Sequence, residues 1–512
     1  MASIKQKRSI EIMDTTLRDG EQTHNVAFSP AEKLQIARIL LEKVKVDRIE
    51  VASARVSTGE QDAVRRITQW AKAHKQKDLL QRIEILGFID GSKSVEWIKE
   101  AGAQNLNLLT KGSLRHLEGQ LGKKPKQHFQ DIKKTVQSAV DNGLNVNVYL
   151  EDWSNGYHQS LSYSLDLIEF LRTIEVKRIM LPDTLGVLYP LQIHEAIKDL
   201  VERFPGTHFD FHPHNDYGLG TINTLEALRA GASGVHTTVN CLGERTGNAA
   251  LEQVVAGLKD HLNFQTRVKE DQLFLVSRVV ETFSGKRMAA NSPIVGEDVF
   301  TQTAGIHADG DKKGGLYESR LMPDRFGRER SYSLGKLSGK ASLDQNLKRL
   351  GLELSKENRD LVLKRIIELG DSKMLISPDD LPFIIADVLK VQQDKTTSFK
   401  QVVLTSGSNM IPVCSLWLEH KGQDYKITGT GNGGFDAFVN GLRDWCAEVK
   451  IDLPTLQDYE VRIPPGGRSN ALVECKITWL TTTGKEIIVR GVDHDQTLAA
   501  IEATEKMMNI IN

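Results

Sequence analysis

Short apolar runs and longer amphipathic segments alternate along the chain from residue 10 to residue 260. In the longer segments the apolar positions recur with helical spacing, whereas the short runs are typical of β-strands. The first long segment begins with Ser29, Pro30 and Glu32, which predict a helix with a capping box and proline at its first position. The pattern predicts eight strands, at residues 10–16, 46–53, 82–89, 105–110, 145–152, 178–184, 208–214 and 234–240.

Eight strand–helix units in succession predict an α/β fold, a (β/α)8 TIM barrel, which typically takes about 250 residues. A doubly wound sheet would show the same alternation, but the number of units favours the barrel. Residues 262–390 are mostly helical around a glycine-rich insertion at 305–342, and residues 392–398 have the polar character of a linker.

The C-terminal part of the chain repeats a smaller unit. Between residues 399 and 512, three strand-like runs followed by one helix-like run occur twice. The repeat predicts an α+β domain with pseudo-two-fold symmetry, which suits ligand sensing or dimerisation. We therefore predict a TIM-barrel catalytic domain at 1–290, helical linker subdomains at 291–391 and a C-terminal regulatory domain at 392–512.

Composition indicates a globular protein with no electrostatic reason to bind nucleic acid or a membrane. Hydrophobic residues make up 40% and charged residues 26% of the 512 residues, and the formal net charge is −1. No apolar run approaches the roughly 20 residues of a membrane-spanning helix, and the N-terminus lacks a signal-peptide hydrophobic segment. The four cysteines are scattered without a C-x-x-C pair, which predicts reduced thiols and a cytoplasmic location.

Candidate chemistry gathers where the predicted strands end. His212 and His214 occupy positions i and i+2 at the end of strand seven and therefore share a face, while Arg18 and Asp19 follow strand one. An H-x-H pair alone is more often coincidence than a metal site. Together with a carboxylate at the same barrel mouth it forms a three-ligand site for zinc, manganese or magnesium. Asn248 offers an amide oxygen nearby, and Arg18 would direct a positive charge at a developing alkoxide or enolate.

Three motifs carry a resemblance to a known family. "DTTLRDGEQT", "FHPHNDYGLG" and "NCLGERTGNAALE" resemble the signature motifs of the DRE-TIM metallolyase superfamily, in particular its Claisen-condensing branch of isopropylmalate, homocitrate and citramalate synthases. The resemblance covers essentially the whole chain, since "GIHADG" and the C-terminal repeat are also similar to that branch. Within the branch, "VYLEDWSNG", "LPDTLGV" and "YEVRIPPGG" resemble the citramalate synthases regulated by isoleucine.

The resemblance implies roles for residues at the barrel mouth and in the insertion. A divalent metal ion would be bound by Asp19, His212 and His214, with Asn248 beside it. A 2-keto acid would have its keto oxygen polarised by Arg18 and its carboxylate bound by Thr184. Glu151 together with His307 would take part in the proton transfer that makes the co-substrate acetyl-CoA nucleophilic, and in the family that histidine comes from the partner subunit of a homodimer. Tyr332 matches a further catalytic-site tyrosine of the same insertion.

The same resemblance places three side chains beside the keto carbon, Leu86, Leu109 and Tyr149. The tyrosine leaves little room for an isopropyl group, and an uncompensated carboxylate of 2-oxoglutarate would cost several kcal/mol against apolar side chains. Pyruvate is therefore the expected substrate, giving (R)-citramalate for isoleucine biosynthesis. The alternative is 2-oxoisovalerate, giving 2-isopropylmalate for leucine biosynthesis. A further alternative is that the three side chains only fill the barrel core.

The C-terminal domain is expected to bind an amino-acid effector for feedback inhibition, isoleucine for a citramalate synthase or leucine for an isopropylmalate synthase. Backbone N–H groups at the start of a helix would bind the effector carboxylate. Asp436 would pair with the effector's ammonium group. An apolar pocket for its side chain would be formed by Leu456, Tyr459 and Ile463. These residues would otherwise be core and turns of a dimerisation module.

Rival classes differ in features that the sequence makes visible. A hydroxymethylglutaryl-CoA-type lyase would not be expected to carry the C-terminal repeat, and a biotin-dependent carboxyltransferase would need a barrel lysine for carbamylation. Amidohydrolases carry H-x-H at the end of strand one rather than strand seven. A non-catalytic amino-acid sensor is disfavoured because the groups at the barrel mouth are intact.

Overall fold

The computed structural model describes residues 9–312, 316–350, 352–371, 376, 380–389, 396–462 and 473–511. The chain divides into two compact units. The first consists of Met1–Phe300 and Ser319–Glu329, and the second of Thr301–Glu318 and Arg330–Asn512. The three domain boundaries expected from the sequence stay predictions.

The first unit contains a closed barrel of eight parallel strands in sequential order, as the sequence predicted. Closure is direct, because the first strand pairs with the second and also with the eighth, Glu11 lying opposite Gly234. The strands are β1 (Glu11–Asp14), β2 (Arg48–Ser53), β3 (Ile83–Phe88), β4 (Asn105–Lys111), β5 (Asn145–Glu151), β6 (Arg178–Asp183), β7 (Phe209–Pro213) and β8 (Gly234–Thr237).

Helices follow the barrel strands and share a continuous apolar core with them. The helices are α1 (Pro30–Arg38), α2 (Thr58–Ala73), α3 (Lys93–Glu100), α4 (Leu114–Leu121), α5 (Pro125–Asp141), α6 (Trp153–Gln159), α7 (Leu161–Leu171), α8 (Pro190–Arg203), α9 (Gly220–Ala230), α10 (Leu251–His261) and α11 (Leu273–Ser284). The capping box of α1 is confirmed: Ser29 Oγ accepts the Glu32 N–H at 3.3 Å, and Glu32 Oε2 accepts the Ser29 N–H at 2.7 Å. The expected helix continues past Arg38 as a π-helical segment, Ile39–Val44.

Polar side chains from different strands form hydrogen bonds with one another in the interior of the barrel. Arg48 is buried and donates to Glu84 at 3.1 Å and to Asp210 at 2.5 Å. Nearer the mouth, Asn107 Nδ2 donates to Glu50 Oε1 at 2.7 Å. Buried charges need such partners because burial in isolation is strongly unfavourable. The side chains that form the site therefore lie next to a hydrogen-bonded layer of polar side chains.

The second unit begins with two short paired strands and four helices. These are β9 (Thr301–Gln302), α12 (Gly305–Lys312), β10 (Ser331–Tyr332), α13 (Lys340–Arg349), α14 (Lys356–Asp371) and α15 (Leu381–Leu389). Three of the helices contribute to a small apolar cluster that includes Leu343, Val362 and Leu381.

The predicted repeat of three strands and a helix is confirmed in the C-terminal part. It consists of β11 (Thr397–Thr405), β12 (Val413–His420), β13 (Gln423–Thr430), α16 (Gly434–Glu448), β14 (Thr455–Arg462), β15 (Val473–Leu480), β16 (Glu486–Asp493) and α17 (Gln496–Ile511). Each strand triplet forms an antiparallel sheet. Both sheets and both helices share one core, with Trp445 and Trp479 almost completely buried. None of the helices in the described ranges combines the length and apolar content needed to cross a bilayer.

A stability prediction follows from the close approach of α6 to the loop after β4. A Cβ atom at Gly156 would lie 2.0 Å from the Gly112 carbonyl oxygen. We expect Gly156→Ala to lower the free energy of unfolding by about 1–3 kcal/mol, as overpacking does, in urea titrations followed by circular dichroism. Gly119→Ala, in α4 with nothing within 4 Å of the new Cβ, should instead stabilise by roughly 0.5–1 kcal/mol. Equal effects of the two changes would contradict the packing account.

Candidate active site

A tight turn after β1 presents Arg18 and Asp19 at the barrel mouth. The N–H groups of Arg18, Asp19 and Gly20 all donate to the Thr15 carbonyl, at 3.1, 2.9 and 3.1 Å. Three N–H groups converging on one oxygen fix the direction in which the turn leaves the strand. The two side chains that the sequence singled out are thereby held above the barrel interior.

The structure brings Asp19, His212 and His214 together. One ligand atom from each lies within 4.8 Å of the others, and all three side chains are buried. Asp19 Oδ2 is 3.2 Å from His212 Nε2 and 3.9 Å from His214 Nε2. His212 lies in β7, whereas His214 lies just past the end of this strand. The backbone of His214 forms an isolated antiparallel β-bridge with that of Asn248. The three residues form a compact carboxylate–imidazole cluster of the kind predicted.

Two buried atoms and the protonation states fit a divalent cation at this cluster. Among the described residues, His214 Nδ1 and Asn248 Oδ1 have no hydrogen-bond partner although both are buried. Burial lowers the pKa of His214 to about 4, so its imidazole is neutral at pH 7. Burial alone would raise the pKa of Asp19, but Arg18 and the two histidines bring it well below its usual range. One carboxylate and two neutral imidazoles are donors that zinc and manganese accept.

Arg18 is held by three side chains. Its Nε donates to Glu50 Oε2 at 2.6 Å, its Nη1 to Asp19 Oδ2 at 2.9 Å and its Nη2 to the Tyr149 hydroxyl at 3.4 Å. Glu50, completely buried in β2, was missed by the sequence analysis. Its signal was a carboxylate in the middle of the short strand-like run "RIEVAS". Since a guanidinium bound on three sides keeps one orientation, Glu50 fixes where the positive charge points.

The three side chains expected beside a keto carbon do lie together. Leu86, Leu109 and Tyr149 belong to one apolar cluster inside the barrel mouth. The sequence analysis did not include the other members of this cluster, Met13, Phe88 and Met180. The sulfur-containing and aromatic side chains add bulk around the three expected residues, and the prediction of a small substrate stays a prediction.

Glu151 and Thr184 lie at the ends of β5 and β6, and both have partners. Glu151 Oε2 is ion-paired with Lys111 Nζ, and Thr184 Oγ1 accepts the Asp152 N–H at 2.9 Å. Lys111, at the end of β4, was not identified from the sequence.

The loop after β8 depends on a glycine. Gly247 has φ +89°, and a Cβ atom there would lie 1.7 Å from the Cys241 carbonyl oxygen. A side chain at this position would displace the loop and with it Asn248, the next residue. In the same loop, Arg245 Nη2 donates to the Thr184 carbonyl at 2.7 Å, which ties the loop to the end of β6.

His307 and Tyr332 lie in the second unit of the chain. His307 is in α12 and Tyr332 in β10. The aromatic partner of His307 is Tyr317, which was not singled out from the sequence, and their ring centroids are 4.2 Å apart. The only sequence signal for it was a second tyrosine in the same insertion. The roles expected for His307 and Tyr332 stay predictions.

The proposed effector residues occupy both halves of the C-terminal repeat. Asp436 is in the first turn of α16, and its Oδ2 accepts the Asn432 N–H at 2.7 Å. Leu456 is 37% exposed, whereas the ring of Tyr459 packs 5.0 Å from that of Phe435. Ile463 lies outside the described residues. Asp436 therefore already binds its own loop, which matters for the choice of a test variant.

Comparison with known proteins matches three consecutive regions of the chain to family models. The HMGL-like family matches residues 9–280, the homocitrate synthase post-HMGL domain-like family matches 294–374, and the LeuA allosteric (dimerisation) domain matches 375–512. The closed barrel with this cluster at its mouth is a TIM-barrel architecture, and the chain belongs to the HMGL-like family.

Similarity to individual relatives extends over the full length. The chain is 34% identical over 503 residues to a provisionally named (R)-citramalate synthase CimA of Methanothermobacter thermautotrophicus, with 96% of each chain covered. It is 32% identical to (R)-citramalate synthase CimA of Methanocaldococcus jannaschii, covering 98% of this chain and 99% of that protein. It is also 32% identical to 2-isopropylmalate synthase of the same organism, covering 98% and 94%. The expected resemblance to the condensing branch is confirmed, while identity alone does not distinguish the two activities.

The metal cluster yields a direct prediction. His212→Ala or His214→Ala should remove stoichiometric binding of a divalent cation, because each leaves only two of the three donors. Metal analysis of dialysed protein by mass spectrometry measures the occupancy. His261→Ala, which changes an exposed histidine at the end of α10, is the matched control and should keep full occupancy. Full occupancy in both cluster variants would exclude this site.

Proposed function

We propose that the chain is a metal-dependent acyltransferase that condenses acetyl-CoA with a 2-keto acid, converting the acyl group to an alkyl group on transfer. The observation that carries the proposal is the Asp19/His212/His214 cluster with Arg18 bound to it and a cluster of apolar side chains in the same barrel. The full-length similarity to two kinds of condensing synthase supports the same reaction.

Each side chain at the mouth has a defined task in this reaction. When bound, a divalent cation supplies Lewis-acid polarisation of a carbonyl oxygen. Arg18 directs its charge at the keto oxygen and stabilises the alkoxide that develops there. Thr184 binds the substrate carboxylate, and the rigid guanidinium geometry set by Glu50 excludes other substrate orientations. The apolar pocket accommodates the substituent on the keto carbon.

The proposed reaction forms one carbon–carbon bond and cleaves one thioester. Glu151, acting with His307 from the partner subunit, takes a proton from the methyl group of acetyl-CoA. The resulting enolate carbon forms a bond to the keto carbon, and the keto oxygen becomes a hydroxyl group after protonation. Water then cleaves the thioester and releases the CoA thiol, which makes the condensation irreversible.

Pyruvate is the keto acid that fits best, giving (R)-citramalate in isoleucine biosynthesis. Tyr149 is 2% exposed and Leu86 is 5% exposed, and Met13 and Met180 pack against them. A methyl group fits among these side chains more readily than an isopropyl group. The second candidate is 2-isopropylmalate synthase, since the relative with that name is as similar as the citramalate synthase of the same organism.

The activity is tested by release of free thiol from acetyl-CoA in the presence of a keto-acid panel. Purified protein with Mn²⁺ should release thiol with pyruvate, less with 2-oxoisovalerate and none with 2-oxoglutarate. A preference for 2-oxoisovalerate would establish the second candidate. No keto-acid-dependent thiol release from any panel member would contradict the condensing reaction.

Pocket size is tested by Leu109→Ala. The change removes bulk from the pocket without touching the hydrogen bonds of Arg18, so the ratio of kcat/KM for 2-oxoisovalerate to that for pyruvate should rise. The space of one or a few methylene groups discriminates about 10–200-fold. Tyr149→Phe is the control, because it keeps the ring volume and should leave this ratio unchanged even if turnover falls. An unchanged ratio in Leu109→Ala would place the substituent elsewhere.

Feedback regulation by a pathway amino acid is proposed for the C-terminal domain of a homodimer, with isoleucine as the effector of a citramalate synthase. Asp436→Asn keeps an oxygen for the Asn432 N–H but removes the charge that would pair with the effector ammonium. It should weaken inhibition by isoleucine with little change in turnover, measured as the inhibitor concentration that halves the rate. Asp444→Asn, an exposed change on the same helix, is the control. An unmodified enzyme that ignores isoleucine, leucine and valine would make the domain a dimerisation module.

A further inference from the structure

His236, on β8, has no role in the reaction described above, yet it contacts a proposed metal ligand. Its Nδ1 lies 3.2 Å from His212 Nδ1, and its Nε2 lies 3.3 Å from Asp210 Oδ2. All three side chains are buried inside the barrel. Asp210, His236 and His212 thus form a line that ends at the carboxylate–imidazole cluster.

Asp210 sets the direction of the hydrogen bonds in this line. Its Oδ2 accepts from Arg48 Nη2 at 2.5 Å, and its Oδ1 lies 2.8 Å from His208 Nε2. A carboxylate paired with a guanidinium is an acceptor only. His236 Nε2 must therefore carry the proton that bonds to Asp210. A neutral imidazole has one N–H group, so His236 Nδ1 is an acceptor.

The acceptor at His236 Nδ1 determines the tautomer of His212. The Tyr149 hydroxyl also lies 3.1 Å from this atom, but it has a second acceptor in Glu50 Oε2 at 3.3 Å. Among the described residues, His236 is the hydrogen-bond partner of His212 Nδ1. His212 therefore donates through Nδ1, and its lone pair resides on Nε2, the atom that faces Asp19.

The backbone beside Asp210 leaves room for this line. A Cβ atom at Gly234 on β8 would lie 2.3 Å from Asp210 Oδ1. Any larger residue at that position would push the carboxylate away from the His236 ring. The small residue two positions before His236 is thus matched to the carboxylate on the neighbouring strand.

We propose that His236 is a positioning residue, held by Asp210, that fixes His212 in the tautomer whose Nε2 lone pair faces the metal cluster. The proposal rests on the metal centre of the proposed function. A histidine that binds a metal needs its other N–H group engaged so that ring and tautomer are fixed. Loss of such a partner typically lowers metal affinity about 10–100-fold.

The test measures binding of metal ions to the full-length protein without substrate. Apo protein is titrated with Mn²⁺, and in a parallel series with Zn²⁺, by calorimetry. His236→Leu should weaken binding about 10–100-fold, because His212 loses its acceptor. His236→Asn retains an amide oxygen near the position of Nδ1 and should recover most of the loss. Thr237→Val, the neighbouring residue on β8 whose hydroxyl has no partner among the described residues, should bind like the unmodified chain.

The outcomes separate this proposal from the proposed function. Unmodified protein that binds neither ion would overturn the metal centre and, with it, the role of His236. Normal binding by both the unmodified chain and His236→Leu would overturn the role of His236 alone. If His236→Leu fails to fold by circular dichroism, the comparison of His236→Asn with Thr237→Val decides. Weakened binding in both Asn and Val variants would indicate general disturbance of β8 and contradict the proposal.

Discussion

One carboxylate oxygen organises the mouth of the barrel. Asp19 Oδ2 lies 2.9 Å from Arg18 Nη1, 3.2 Å from His212 Nε2 and 3.9 Å from His214 Nε2. Arg18 and Asp19 follow β1, whereas the histidines lie at the end of β7. They meet because β8 pairs with both of these strands and closes the barrel. This convergence requires that the buried Asp19 carboxylate is ionised. The adjacent Arg18 guanidinium favours the ionised form by lowering the pKa of Asp19. Neutral imidazoles then face a fixed negative charge, which is the electrostatic requirement for binding a divalent cation.

The polar layers beneath the mouth hold this arrangement in place. Glu50 orients Arg18 from below, and Asp210 orients His236. Buried ion pairs of this kind contribute little net stability, because desolvation offsets most of the attraction. Their effect is on geometry. Each side chain stays beside its partner, because moving away would leave a buried charge unpaired. In this barrel, burial and hydrogen bonding serve orientation more than stability.

Much of this arrangement was predictable from local patterns. The alternation of strands and helices, the capping box at Ser29 and the H-x-H at a strand end are signals within a few residues of each other. Glu50 and His236 were missed because each lies inside a short strand, and the partners that give it a role lie elsewhere in the barrel. Their roles appear only once the barrel closes. Tyr317 was missed for a related reason, since two tyrosines in one insertion give no local signal for which of them contacts His307.

Substrate specificity depends on the space left between side chains from several strands, which cannot be determined from the sequence. Leu86, Leu109 and Tyr149 were expected to surround a substrate, but Met13 and Met180 reach the same space from other strands. Methionine is flexible and fills irregular gaps, so the size of the pocket depends on packing rather than on residue type alone.

The central claim is that Asp19, His212 and His214 bind one divalent cation at the barrel mouth. Crystals of the unmodified protein grown with Mn²⁺ and pyruvate test it most directly, through anomalous scattering at the manganese edge. The account predicts a single strong peak in contact with the Asp19 carboxylate, His212 Nε2 and the His214 imidazole, with pyruvate in contact with the same ion. A fully occupied peak elsewhere in the barrel, with these three side chains unligated, would contradict it.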